Sequence, residues 1–85
     1  MKVHTEKISL NSIPRVKDFV SRISDFDCDI DLVGGRYTID AKSILGVFSI
    51  DLSKPLTLVI NSNDEEEIRL IIKSVADFII KENNL

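Results

Sequence analysis

The chain has 85 residues, 44% of them hydrophobic and 29% charged, the balance of one small globular domain spanning residues 1–85. Its formal net charge is −3, with Lys and Arg scattered among more numerous acids, so it lacks the basic stripe that grips nucleic acid through phosphates. Apolar runs are only a few residues long, against the roughly 20 that a bilayer span needs.

Cys28 is the single cysteine, which excludes an internal disulfide, and no His/Cys cluster suggests a metal or other cofactor. The opening Met1-Lys2-Val3-His4-Thr5-Glu6-Lys7 is polar and charged, unlike a secretory leader, so the cytoplasm is the expected compartment. A monomer without membrane or nucleic-acid partners is expected.

Residues 2–9 alternate loosely through Val3, Thr5 and Ile8 and predict a strand. Ser12 then reads as a helix cap and Pro14 tolerates the first helical turn. Val16, Phe19, Val20 and Ile23 fall at i, i+3, i+4, i+7, one apolar stripe of a helix that ends near Asp25.

Cys28, Ile30 and Leu32 alternate with Asp27, Asp29 and Asp31, a half-buried strand with an acidic outer face. Gly34-Gly35 supplies the positive φ of a tight hairpin. Tyr37, Ile39 and Ala41 form the inward face of the return strand, with Arg36 placed to pair with Asp31 and its neighbours.

Ser43 reads as the cap of a short helix in the segment Ser43–Leu52, which Lys54-Pro55 ends. Its crowded apolar residues would bury Val47 and Ile50 or Leu52 and leave some of Ile44, Leu45 and Phe48 outside. Leu56, Leu58 and Ile60 make the inward face of a last strand. Glu65-Glu66-Glu67 open a closing helix, where acids suit the dipole, and Ile68, Ile71, Ile72, Val75 and Ile79 form its stripe. Strand and helix order gives an α+β domain, a four-stranded antiparallel sheet covered on one face by three helices.

Phe26-Asp27-Cys28-Asp29-Ile30, then Gly34-Gly35, then the run Asp40-Ala41-Lys42-Ser43-Ile44-Leu45-Gly46-Val47-Phe48-Ser49-Ile50 carry a resemblance. This run is similar to the KSIMGVMSL segment of the HPr phosphocarriers of the bacterial sugar phosphotransferase system, and the spacing agrees from about Ile13 onward. The resemblance implies the βαββαβα open-faced sandwich of that family.

A working HPr bears an acceptor histidine at the start of its first helix, in a His-Ala-Arg-Pro type motif. The ring nitrogen takes phosphate while helix amides and an arginine hold it. The matching stretch here is Asn11-Ser12-Ile13-Pro14-Arg15, with Ser12 in the histidine's place and proline and arginine in swapped order. Phosphoserine, an ester, lacks the transfer potential of a phosphohistidine N–P bond. His4, the only histidine, stands on the first strand and reads as an exposed or edge polar residue.

The resemblance further implies that Ser43 is the family's regulatory serine, phosphorylated by HPr kinase/phosphorylase, against the simpler reading of an unmodified cap. Ile44, Leu45 and Phe48 match the family's exposed apolar contact surface, with Arg15 beside it. The expected function is therefore a non-catalytic regulatory or binding module, akin to the Crh-like branch that lacks the acceptor histidine. Its partners would be phosphotransferase-system enzymes, HPr kinase/phosphorylase or a catabolite-control regulator. The alternatives are a carrier with an unusual acceptor, or a divergent domain whose partners lie outside sugar transport.

Overall fold

The alternating segments around Ile30 and Leu58 become neighbouring strands in the computed structural model, which describes residues 3–81. In chain order the elements are β1 (Val3–Ile8), α1 (Ile13–Ile23), β2 (Asp29–Gly34), β3 (Tyr37–Asp40), α2 (Ile44–Phe48), β4 (Leu56–Asn61) and α3 (Glu65–Ser74). A single 3₁₀ turn, Ala76–Phe78, follows. The sheet order is β1-β4-β2-β3 and every pairing is antiparallel.

Register puts like with like across the sheet. Ile30 faces Ile60, Leu32 faces Leu58 and Ile8 faces Leu56, and all six are buried. Against this apolar face lie Val16, Phe19, Val20 and Ile23 of α1, Val47 of α2, and Ile71 of α3, in one continuous core. The other face carries Thr5, Lys7, Asp29, Asp31, Thr57, Val59 and Asn61, the alternate residues of the same strands. The expected one-sided α+β sandwich is the observed fold.

Side chains close the helix ends. Ser12 Oγ accepts from the Arg15 amide at 3.3 Å, and Ser43 Oγ accepts from the Gly46 amide at 3.2 Å. Asp64 accepts from the amides of Glu66 and Glu67 at 3.0 and 3.3 Å, beneath the acidic first turn of α3.

Three local expectations are corrected. Of the two glycines Gly35 alone has a positive φ, +58°, the pattern of a type II′ turn with Gly35 and Arg36 at its centre. Gly34 is needed instead for space, because a Cβ there would lie 2.8 Å from Leu56 Cδ2. Tyr37 is 68% exposed, since the hairpin end carries it past the helical cover. Asp31 stands opposite Asp40, not Arg36, and accepts from Asn61 Nδ2 at 3.2 Å.

The closing helix also stops earlier than its periodicity suggests. It ends at Ser74, and the 3₁₀ turn swings Phe78 into the core, while Ile79 leaves the helical path to bridge Ile8. Ile71 and Val75 are fully buried, with Ile68, Ile72 and Ile79 packed at the margin.

Candidate functional site

The start of α1 and the short α2 carry the residues singled out from sequence, and α1 packs against α2. Ser12 is extended backbone at φ −152°, and its hydroxyl is spent on capping. An N-cap oxygen held by the Arg15 amide is a structural acceptor, and it stands where the resemblance places an imidazole.

Arg15 turns toward the C-terminal turn. Its Nη2 donates to the Ser9 carbonyl at 2.9 Å and to the Asp77 carbonyl at 3.5 Å, and its guanidinium carbon lies 4.8 Å from the centroid of Phe78. Nε of the same group is buried without a hydrogen-bond partner. The sequence suggested a cation reaching for a partner; the side chain is half-buried and bound within the chain.

Arg22, two turns along α1, completes the arrangement. It holds Asp18 through Nη2 at 2.7 Å and Asp77 through Nη1 at 2.5 Å, and also donates to the Ser74 carbonyl at 3.0 Å. Its guanidinium carbon lies 4.9 Å from the Phe78 centroid. The hydrogen bond from Arg22 holds the Asp77 carboxyl below its ordinary range. Periodicity in the sequence gave no sign of this cluster, because Asp77 and Phe78 belong to a turn that no helical stripe describes.

On α2 the residues divide by exposure. Leu45 is 80% exposed and Phe48 38%, while Ile44 is half-buried against the core and Val47 is fully buried. Ser43 is exposed at the start of the helix. Gly46 allows the close turn, since a Cβ there would lie 3.3 Å from Ser43 Oγ. Ile13, in the first turn of α1, is a further exposed apolar residue at 60%, one that the sequence reading passed over. Its only signal was an apolar side chain directly after a cap.

His4 lies on β1, away from these residues, with Nε2 2.6 Å from Glu6 Oε2. Cys28 packs against the core margin, and burial, with the nearby Glu67, pushes its thiol up from the ordinary range. A thiol so placed resists forming the reactive thiolate. Lys42, just after β3, ties down the loop that precedes β2 by donating to the carbonyls of Phe26 and, at 2.9 Å, Cys28. Among the described residues no group of His, Cys, Asp and Glu is arranged to hold a metal, and no helix is long and apolar enough to cross a membrane.

No family model matches the sequence, and no curated protein matches it. Solved structures match the fold. HPr-C-His from Thermoanaerobacter tengcongensis superposes with a TM-score of 0.69 at 24% identity, covering 91% of this chain and 93% of that one. The histidine-containing phosphocarrier protein of Mycoplasma gives 0.67 at 20% identity, over 94% of this chain and 100% of its own. Phosphocarrier protein HPr from Bacillus anthracis gives 0.66 at 23% identity, over 87% and 98%. The chain has the HPr fold over nearly its whole length.

Proposed function

We propose that this chain is an HPr-like protein of the bacterial phosphoenolpyruvate-dependent sugar phosphotransferase system, one that acts by docking onto other proteins and not by relaying phosphate. The observation that carries the reading is the pairing of two features on neighbouring helices. A serine cap fills the acceptor position at the start of α1, while Leu45 and Phe48 still project from α2. One similar structure is described as a histidine-containing phosphocarrier protein, and in this reading Ser12 stands in the place of that histidine.

Partner contact falls to Leu45 and Phe48, with Ile44 supporting them from below and Ile13 extending the apolar character onto α1. Exposed apolar groups of this size mark protein interfaces. Arg15 serves this surface indirectly, by tying the start of α1 to the C-terminal turn. Ser43 is the modification site in this reading. Its hydroxyl is exposed beside Ile44 and Leu45, and a phosphate there would add about −1.5 to −2 charge next to the docking residues.

The test is incubation with phosphoenolpyruvate and the enzyme that loads phosphocarriers, followed by mass measurement and by pull-down against the system's proteins. The reading expects no acid-labile phosphate and capture that depends on Leu45. Transfer by the unaltered chain would overturn it in favour of a carrier with an unusual acceptor. Gain of transfer in Ser12→His would identify the scaffold as one that lost only its imidazole. For Ser43, incubation with HPr kinase and ATP should add one phosphate, removed by Ser43→Ala.

A further inference from the structure

The turn between β2 and β3 packs beside the loop that joins α2 to β4. Gly34 makes this approach possible, since a Cβ there would lie 2.8 Å from Leu56 Cδ2 and 3.5 Å from Ile50 Cδ1. Ile50 and Leu56 are both buried, so the two chain reversals rest on one apolar base. A cleft of about 240 Å³ opens between them, and Arg36 and Tyr37 from the turn meet Lys54 from the loop along its walls.

Charge in this cleft runs against the chain as a whole. The protein carries a net −3, yet the cleft sets two cations against one carboxylate, Asp51. That carboxylate is already engaged. Its Oδ1 accepts from the Ser53 hydroxyl at 2.5 Å and from the Ser53 amide at 3.0 Å, and these two bonds hold it below its ordinary range. Arg36 is in the opposite condition. Each of the other three arginines holds a carbonyl or a carboxylate of the chain, whereas the Arg36 guanidinium has no hydrogen bond or ion pair among the described residues. The Tyr37 hydroxyl is likewise without a partner there, and its ring stands exposed at the position opposite Gly34.

A guanidinium offers five N–H donors in a planar fork, which suits an oxyanion taken through two parallel bonds. Lys54 supplies a second positive charge and Tyr37 an apolar ring face. Two cations suit a dianion better than a single carboxylate, which leaves one of them unmatched. The cleft is smaller than the roughly 300 Å³ at which pockets for drug-sized ligands begin, so its ligand is small. We propose that this cleft binds a small phosphate monoester, with Arg36 and Lys54 on the phosphate and the Tyr37 ring against the organic group. The proposal is independent of the docking reading, since it involves neither Leu45 nor the start of α1.

The test is titration of the isotope-labelled full chain with phenyl phosphate, inorganic phosphate and benzoate, followed through the amide chemical shifts. Phenyl phosphate should move the amides of Gly35, Arg36, Tyr37 and Lys54 along a saturable curve, with inorganic phosphate and benzoate both binding more weakly. Arg36→Gln and Lys54→Gln alter exposed side chains and should leave the rest of the spectrum unchanged. Each should weaken phenyl phosphate binding by roughly tenfold, the loss of one charge-assisted contact. Tyr37→Ala should bring phenyl phosphate down to the affinity of inorganic phosphate. Absence of a saturable shift, shifts confined to the start of α1, or binding that survives both glutamine variants overturns the proposal. Benzoate binding as tightly as phenyl phosphate overturns it equally, because the cleft would then select a carboxylate.

Discussion

Arg15 on α1 holds its guanidinium 4.8 Å from the ring centroid of Phe78, a residue of the last turn. Phe78 in turn meets Phe19 edge-on at 5.6 Å, with the rings at 90°, and Arg22 stands 4.9 Å from the same centroid. One aromatic side chain therefore gathers the core, two cations and the closing segment.

Phe78→Ala should destabilise the protein by about 3–5 kcal/mol, through the cavity left behind and the loss of both cation–ring contacts. Urea unfolding followed by circular dichroism reads this directly. Phe78→Leu should recover most of the packing and leave a smaller loss.

The Arg22–Asp77 contact predicts a pH dependence. The Asp77 carboxyl is lowered from 3.8, chiefly by the hydrogen bond from Arg22. Glu66, bonded to Arg69, and Asp51, bonded to Ser53, are lowered as well. A carboxyl depressed on folding contributes stability above its unfolded pKa and loses it as pH falls through the folded value. The unfolding midpoint should thus be flat near neutrality and drop in acid. Asp77→Asn should lie below the unaltered chain at pH 7 and converge with it under strongly acidic conditions. The effect is small, because all three groups face water.

Ser12→Ala should cost about 0.5–2 kcal/mol, the value of a helix cap. Ser12→Asp should retain nearly all the stability, since its carboxylate accepts the same Arg15 amide. Thermal melts of the three forms read the cap's contribution directly.

Leu45→Asp should abolish capture of the docking partner while changing stability by no more than about 0.5 kcal/mol. Phe48→Asp should also abolish it, with a larger stability loss because most of that ring is covered. Isothermal titration against the captured protein, paired with thermal melts, separates the two effects.

The twin glycines make opposite forecasts from one spelling. Gly34→Ala should cost about 1–3 kcal/mol, because its Cβ would collide with Leu56. Gly35→Ala has nothing within 4 Å and should cost about 1–2 kcal/mol through its positive φ alone. Truncating Leu56 to Ala should rescue the first variant and leave the second unrelieved, as measured by double-mutant cycles in urea.

Much of this architecture was readable because its elements are locally consistent. Ile30 and Leu32, or Leu58 and Ile60, alternate with polar residues in a way that only a half-buried strand satisfies. Ser12, Ser43 and Asp64 announce their helices by chemistry that acts within three residues. Tyr37 was misjudged because alternation tells which face a residue takes and says nothing of where the covering helices stop. Phe78 and Arg15 were harder still. Their partners lie across the whole length of the chain, so no window of sequence contains the interaction. The docking residues fall between these cases: a short, overcrowded apolar helix signals that something must stay outside, and packing alone decides that it is Leu45.

The placement of β1 beside β4 governs how the chain is made. The first strand is made with no neighbour, since its ladder partners run from Leu56 to Asn61 and its outer side meets Ile79 and Ile80. Native pairing of β1 must wait until β4 has been made, and closing so long a loop slows the search. The hairpin of β2 and β3, joined by a two-residue turn, can thus form early, and the first strand is sealed after it.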